Sequence, residues 1–553
     1  MQTLQVRDLP LFSYAEFYHW DREMKGGADK IVDGPFHTNG NLTLNPQKGT
    51  EFRFLSHVSA AGKILRTSRG KVFIDDTRMK QGNGGILDHN HPEWEAYSQQ
   101  YWDGYVRDKA HDTPVFYPLD MDLPQKDNPS TLLVNERTNP AYALIEPLLP
   151  ADHTSRKSDA VRKQKFAYKA GLILKIEPNP SAGTSSDPTS TDYFVVNAYK
   201  YDREDPTDSM SRILSDVNGD PFLLPVDLPP GIIGAPNPAL TDIDVSRGAV
   251  ELYTTTGSKD TAGNVVSGFY DHDEDIAYDI IALDVGALTD LINSKDNTAS
   301  GFNGTYNVDN DWNGVLYIEF PTSDVITGDD FVYGTSTHPD GRARADNVVI
   351  AHFKDNSDPY ALALALIDAQ ELPNPSDPRQ EGFTLSTNGT VYVVGSYNAD
   401  GVAHTDDSTL PDDADEIPAA IACDSYMLLS SNWANTRKFS NRAPVGPHRP
   451  AVFTEISAAL LAGYTAPNLE NWQGLTQTMR YSKITLFERE LRSPYTTARP
   501  VHCYKAPAVR DFGFNKLFAD GRFPPGTPVV RTFRAVDFNY LSKADYMSAK
   551  ANL

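Results

Sequence analysis

Gly34-Pro35-Phe36-His37-Thr38-Asn39-Gly40-Asn41-Leu42-Thr43-Leu44 turns at Asn39-Gly40 and then alternates apolar with polar residues. An Asn-Gly corner tolerates positive φ, and alternation of this kind is how a short strand leaves a tight turn. A near twin stands far downstream, at Leu385-Ser386-Thr387-Asn388-Gly389-Thr390-Val391-Tyr392-Val393. A corner-and-strand unit repeated towards both ends of a chain points to scaffold before it points to an active site.

The rest of the composition agrees. At 553 residues the chain exceeds one ordinary core, which predicts two to four domains or one long solenoid with insertions. Its 27 Tyr and 25 Phe argue against disorder, and 39 Pro with 37 Gly argue for many turns, so the fold class reads as mainly β. A net charge of −24 disfavours nucleic acid and anionic lipid as partners and favours solubility or cation binding. Cys423 and Cys503 are the two cysteines, too few for a disulfide framework or a cysteine zinc site, although one bridge between them stays open. Within Ile421-Ala422-Cys423, Cys423 reads as a buried free thiol. No stretch approaches the ~20 apolar residues of a membrane span and no signal peptide is visible, so the expectation is a cytoplasmic protein or one whose anchor lies outside this sequence.

Read along its length, the chain divides into five parts. Residues 1–30 form a lead-in with a helical or mixed segment over 11–23, rich in Phe12, Tyr14, Phe17, Tyr18 and Trp20. Residues 31–91 carry short strands over 36–44, 52–60 and 71–74. An excursion over 92–163 holds an aromatic cluster, Trp94, Tyr97, Tyr101, Trp102 and Tyr105, on a helix or a surface loop. Residues 164–372 read as an α+β insertion with strands over 172–176, 193–199, 249–254 and 315–320, and with a helix over 285–294 that Asp284 caps. Residues 373–553 return to strands, over 383–394, 418–429, 452–461 and 479–487. Polar loops cover 179–192 and 400–416. Short parallel strands between polar loops suit a right-handed β-solenoid-like scaffold built from both chain ends, with β-sandwich domains as the alternative.

Motifs for chemistry are sparse. The chain has no Gly-x-Ser-x-Gly elbow, no phosphate loop and no Gly-x-Gly-x-x-Gly after a strand. Asp309-Asn310-Asp311-Trp312-Asn313-Gly314 places Asp309, Asp311 and Asn313 at positions one, three and five of a calcium loop, but position twelve is Phe320 where a bidentate Glu belongs. The plain alternative is a polar turn feeding a strand. Asp271, Asp273 and Asp275 alternate along an extended acidic segment that Ca²⁺ or simple solvation would relieve. His89 and His91, flanked by Asp88 and Glu93, form a two-ligand pair that lacks a third. His37 and His57 are expected to pack or hydrogen-bond along neighbouring strands. The aromatic cluster from Trp94 to Tyr105 serves either partner or glycan contact, or a buried satellite core.

Several segments together carry a resemblance. Phe269-Tyr270-Asp271 with Ala282-Leu283-Asp284-Val285-Gly286-Ala287-Leu288, Asn313-Gly314-Val315-Leu316-Tyr317-Ile318, and Val391-Tyr392-Val393-Val394-Gly395-Ser396-Tyr397-Asn398 follow the opening stretch in order. Ala419-Ala420-Ile421-Ala422-Cys423-Asp424, Leu429-Ser430-Ser431-Asn432-Trp433, Ile456-Ser457-Ala458-Ala459-Leu460-Leu461-Ala462-Gly463, Phe518-Ala519-Asp520 and Pro524-Pro525-Gly526-Thr527-Pro528 complete the series. In this order they resemble the large extracytoplasmic part of PilX-type pilus-assembly proteins, which accompany type IV pilus and type II secretion machinery. The resemblance implies a surface-displayed assembly component held by an N-terminal hydrophobic helix of pilin type, a segment this chain lacks. It implies other pilus or secretion-system proteins as partners, an extracytoplasmic location at the cell surface or in the periplasm, and no catalytic residues. The competing expectation is a carbohydrate-binding adhesin or a glycan-degrading β-helix enzyme, whose scattered carboxylates spacing would not reveal.

Overall fold

The structure is a computed structural model. It describes residues 2–18, 21–26, 29–67, 70–79, 81–82, 85–116, 144–148, 159–178, 194–201, 210–212, 250–253, 269–271, 276–294, 306–320, 350–351, 360–374, 381–399, 416–423, 426–429, 453–462, 475–485 and 510–538. The fold is mainly β, in several mostly parallel sheets.

Residues 16–74 run through three tiers, each supplying one strand to each of three parallel sheets. Glu16–Tyr18, Phe36–Thr38 and Val58–Ala60 pair in the first sheet, Arg22–Gly26, Leu42–Pro46 and Ile64–Arg66 in the second, and Lys30–Val32, Glu51–Phe54 and Lys71–Ile74 in the third. Alternation decides which side chains turn inward: Leu42 and Leu44, Phe52 and Phe54, and Val72 and Ile74 are all buried in one core, while their neighbours face out. The short strands expected within 36–44, 52–60 and 71–74 stand there.

The segment over 11–23, expected to be helical or mixed, contains no α-helix among its described residues. Strands Gln2–Pro10, Glu16–Tyr18 and Arg22–Gly26 occupy the region, with a single 3-10 turn at Leu11–Ser13. The reason lies in adjacent residues: Phe17 packs into one core and Tyr18 into another. Only extended chain sends consecutive side chains to opposite faces.

A thirteen-stranded sheet joins this region to the C-terminal half. Leu475–Thr485 pairs antiparallel with Glu16–Tyr18 on one side and with Phe453–Ala462 on the other. Beyond it, Phe453–Ala462, Ala419–Cys423, Phe383–Thr387, Val315–Glu319 and Leu172–Pro178 follow one another in parallel. Gln2–Pro10 closes separately on Val529–Phe538. From Val315 onward the chain alternates between this sheet and a seven-stranded one, visiting Tyr360–Ile367, Thr390–Val394 and Tyr426–Leu429 between successive strands of the long sheet. These ladders cross residue 372 without a break, so the strands at Val315–Glu319 and Tyr360–Ile367 are continuous with the later ones rather than set apart in an insertion.

Both faces of the long sheet are covered. In one row, Leu172, Leu316, Leu385, Ile421 and Leu460 stand in register and pack against Leu364, Leu366, Val391 and Val393 of the facing sheet. Their neighbours Ile173, Tyr317, Ala422 and Leu461 turn the other way, onto Phe166, Leu144, Ile145, Leu148 and Phe518. Burial on two sides explains why Val315–Glu319 and Ala419–Cys423 read as continuous apolar runs. The helix Val285–Ser294 has the expected bounds; Asp284 Oδ1 accepts from the Ala287 N–H at 2.8 Å, and Leu288 and Ile292 enter the core. Cys423 is buried in the core, and Cys503 lies outside the described residues, as do the loops expected over 179–192 and almost all of 400–416.

The two Thr-Asn-Gly corners are built alike. Gly40 N–H donates to Thr38 Oγ1 at 3.3 Å, and Gly389 N–H to Thr387 Oγ1 at 3.2 Å. Each asparagine grips a distant backbone at both ends. Asn39 Nδ2 donates to Phe116 O at 2.6 Å while its Oδ1 accepts from Phe116 N at 2.7 Å; Asn388 does the same to Phe320, at 3.0 and 2.8 Å. Left-handed backbones among the described residues fall elsewhere, at Asn398 and Gly314 for example, so Gly389 answers a different need from the expected positive φ. A Cβ there would lie 2.6 Å from the Phe320 ring. Gly389→Ala is therefore expected to cost about 1–3 kcal/mol, measured by urea denaturation, because the ring is buried and has little room to yield.

Candidate functional site

The helix Trp94–Trp102 and the segment after it close the third tier. Trp94, Tyr97, Ser98 and Trp102 form its buried stripe, and Asp103 and Gly104 end it in left-handed backbone, at φ 43° and 88°. The free edge of Ile64–Arg66 is capped here by substitutes for a fourth tier. Asp108 Oδ2 accepts from Ile64 N at 3.2 Å, Asp88 Oδ2 accepts from Arg66 N at 2.9 Å, and Lys109 N donates to Gly62 O at 2.8 Å. His89 N donates to Ile64 O at 3.0 Å. In the adjoining sheets Val106–Arg107 pairs with Val58 and Ser59, and Thr77–Arg78 folds back on Phe73 and Ile74. An edge whose N–H and C=O groups are occupied in this way presents no template for edge-to-edge pairing.

Asp108 is the hub. Besides Ile64 N, its Oδ2 accepts from Trp94 Nε1 at 3.0 Å and bonds His89 Nδ1 at 2.8 Å; its Oδ1 accepts from Ala110 N at 2.9 Å and bonds His111 Nδ1 at 3.0 Å. Burial pushes the carboxyl upward, but the bonds from His111, Ile64, His89 and Trp94 outweigh it and hold the pKa near 2. Ser98 Oγ lies 2.5 Å from His111 Nε2, so Ser98, His111 and Asp108 are connected like a nucleophile, base and orienter. Access argues against that use: Ser98 and Asp108 are 0% exposed, and the Ser98 hydroxyl also reaches Glu95 O at 2.9 Å. The chain of bonds pins the helix to the cap.

A second buried polar centre lies on the first of the tier sheets. His37 Nδ1 bonds Ser59 Oγ at 2.7 Å, and its Nε2 bonds Asn39 Oδ1 at 2.9 Å. The Phe116 N–H identifies that end of the Asn39 amide as oxygen, so His37 carries its proton on Nε2 and accepts from Ser59. Its ring lies 4.3 Å from that of Phe116 and 5.3 Å from that of Phe17. Burial pushes its pKa down to about 4, against a smaller raising effect of Asn39. His57 instead stacks on Tyr105 at 4.1 Å and 9°.

The other residues singled out by sequence fall as follows. His89 and His91 separate: His89 joins Asp108, while His91 Nδ1 accepts from Glu93 N at 3.2 Å in a turn. Asp309 and Asp311 lie in one helical turn, Val308–Asp311, instead of an open loop. Asp311 accepts from Asn307 N at 2.9 Å and pairs with Lys200 at 2.5 Å, while Asn313 binds Lys169 O and Val315 N. Asp271 stands in the strand Phe269–Asp271, and Asp273 and Asp275 lie outside the described residues. Among the described residues no group of three His, Cys, Asp or Glu side chains is placed to hold a metal ion. No described helix is long and apolar enough to cross a membrane.

Within the aromatic cluster, Trp94, Tyr97 and Trp102 belong to the core, whereas Tyr101 is 43% and Tyr105 36% exposed. Trp102 Nε1 also donates to Ile74 O at 3.1 Å. Trp102→Ala should therefore cost about 3–5 kcal/mol and Tyr101→Ala less than about 1 kcal/mol, compared by denaturation followed through fluorescence. Ser98, Asp108 and His111 escaped the sequence reading because their partners include Ile64, 44 residues from Asp108. One local signal was available: Asp108-Lys109-Ala110-His111 has the spacing of a capping box, which the structure forms. Compared with family models, curated proteins and solved structures, the chain matches none.

Proposed function

We propose that this chain is a non-catalytic, surface-displayed scaffold, an assembly component resembling PilX-type pilus-assembly proteins, built as a right-handed β-solenoid-like body from both chain ends. The observation that carries the reading is the junction at Leu475–Thr485, which bonds the N-terminal tiers and the C-terminal parallel strands into one sheet. Both ends of the chain are thereby committed to a single framework. The use of Asp108, His111, Asn39 and Asn388 as ties adds support, since each completes a backbone edge or bonds a backbone group. Tyr101 and Tyr105 are the exposed rings through which pilus or secretion-system proteins would be held in an extracytoplasmic setting. Calcium binding at Asp309 or Asp271 is no requirement of this reading.

The same two rings favour one other reading, a carbohydrate-binding adhesin or glycan-degrading enzyme, because exposed tyrosines also stack on sugar faces. A pull-down from cells carrying the full-length gene, with calcium and with chelator, separates the two. Recovery of pilin-like or secretion-channel proteins, reduced by Tyr101→Ala with Tyr105→Ala, supports assembly. Retention of glycan without such proteins overturns it, and loss under chelator would bring the acidic segments into the site.

A further inference from the structure

We infer that Asn39 is a modification site: in the folded protein it deamidates spontaneously and the product releases the strap formed by residues 113–116, whereas its twin Asn388 stays an amide. The two are matched in sequence, Thr-Asn-Gly, and in the grip each holds on a phenylalanine backbone. Their surroundings differ. Asn39 and Gly40 are half-buried at the surface, while Asn388 is 0% exposed and the Phe320 ring packs over Gly389.

The chemistry needs only the chain and water. The Gly40 backbone nitrogen attacks Asn39 Cγ; an N–C bond forms, the Cγ–Nδ2 bond breaks, and Nδ2 leaves as ammonia with the proton from Gly40. Water then opens the cyclic imide at either carbonyl to give aspartate or isoaspartate, with no change in oxidation state. Glycine imposes no side chain on the approach of its nitrogen. Asn39 Oδ1 already accepts from Phe116 N at 2.7 Å and from His37 Nε2 at 2.9 Å, and two donors on one carbonyl oxygen stabilise the charge that gathers there as Cγ becomes tetrahedral.

The product cannot hold the strap. An acid at position 39 has no N–H for Phe116 O, now 2.6 Å from Nδ2, so two oxygens would face each other. Besides this grip, residues 113–116 are tied by Thr113 N to Asp108 O at 3.3 Å and by the buried Phe116 ring, which lies over His37 and beside Tyr14. Conversion at Asn39 thus removes, in a single irreversible event, the polar grip that holds the Phe116 backbone and loosens this flank of the tiers.

Peptide mapping by mass spectrometry of the full chain, aged in neutral buffer and in parallel in denaturant, tests this. In denaturant the two asparagines should convert at similar rates. In the folded protein Asn39 should convert roughly tenfold faster than Asn388 or more, because a half-buried corner moves at lower free-energy cost than one sealed beneath the Phe320 ring. Hydrogen exchange across 108–116 should rise in the aged protein and in Asn39→Asp, with 383–394 unchanged; the aged protein supplies this readout even if the variant does not fold. The inference is overturned if Asn39 stays as inert as Asn388 in the folded chain, or if exchange across 108–116 is the same before and after conversion.

Discussion

Asp108→Ala is expected to lower the stability of the N-terminal tiers by about 3–5 kcal/mol, the range seen when a buried, bonded charge is removed and its partners are stranded. Four donors lose their acceptor at once: the Ile64 and Ala110 N–H groups, Trp94 Nε1 and the His89 imidazole. The side chain is 0% exposed, so water cannot take its place without opening the cap. The effect should appear in urea denaturation followed by tryptophan fluorescence, Trp94 being a direct partner. Asp112→Asn, at an exposed position four residues along whose left-handed backbone asparagine also tolerates, serves as the control and should change stability by less than about 0.5 kcal/mol. Equal behaviour of the two variants would refute the capping role.

Acidification from pH 6.5 to pH 4 is expected to remove about 3 kcal/mol of stability through His37 alone, at 1.36 kcal/mol per pKa unit. The folded pKa is about 4 against 6.5 for the free side chain, so as pH falls the unfolded chain takes up the proton first and gains in relative stability. The loss begins near 6.5 and is complete once the native state also binds the proton, near 4. Asp108 acts in a separate, lower window. Its pKa near 2 lies below the usual 3.8, so its contribution is intact above 3.8 and disappears as pH falls through 2. A series of denaturation curves against pH should show both windows in the parent protein. In His37→Gln the upper one should vanish while the lower one stays; persistence of the upper slope would place its origin elsewhere.

Local pattern carried much of the fold. The alternation of Leu42 and Leu44 or of Val72 and Ile74, and the helical stripe of Leu288 and Ile292 behind Asp284, are short-range features that spacing reports faithfully. The opening was misjudged because Phe12, Tyr14, Phe17, Tyr18 and Trp20 read as one apolar surface, when Phe17 and Tyr18 serve different cores. The Asn-Gly corners were placed correctly for an incomplete reason: Gly389 makes room for Phe320, 69 positions away in sequence, and nothing within the corner announces it. Candidate site residues were least legible. Asn39 meets Phe116 across 77 residues, and Trp94, Tyr97 and Trp102 declare themselves as core only once they are known to share a helix packed on Ile74.

The ladder between Gln2–Pro10 and Val529–Phe538 has a mechanical meaning. Gln2 is paired with Phe538 at one end and Pro10 with Val529 at the other, so tension applied between residues 2 and 538 enters at a single end of the ladder. Its bonds are then loaded one after another, as in opening a zipper, and none shares the load with the next. Nineteen residues would peel away, yielding roughly 60 Å of slack at ~3.3 Å per residue, before the pull reached the bond from Leu11 N to Pro528 O and the sheets behind it. Held by both ends, the protein would stretch gently at first and resist only afterwards; held by one, it would feel no such weakness.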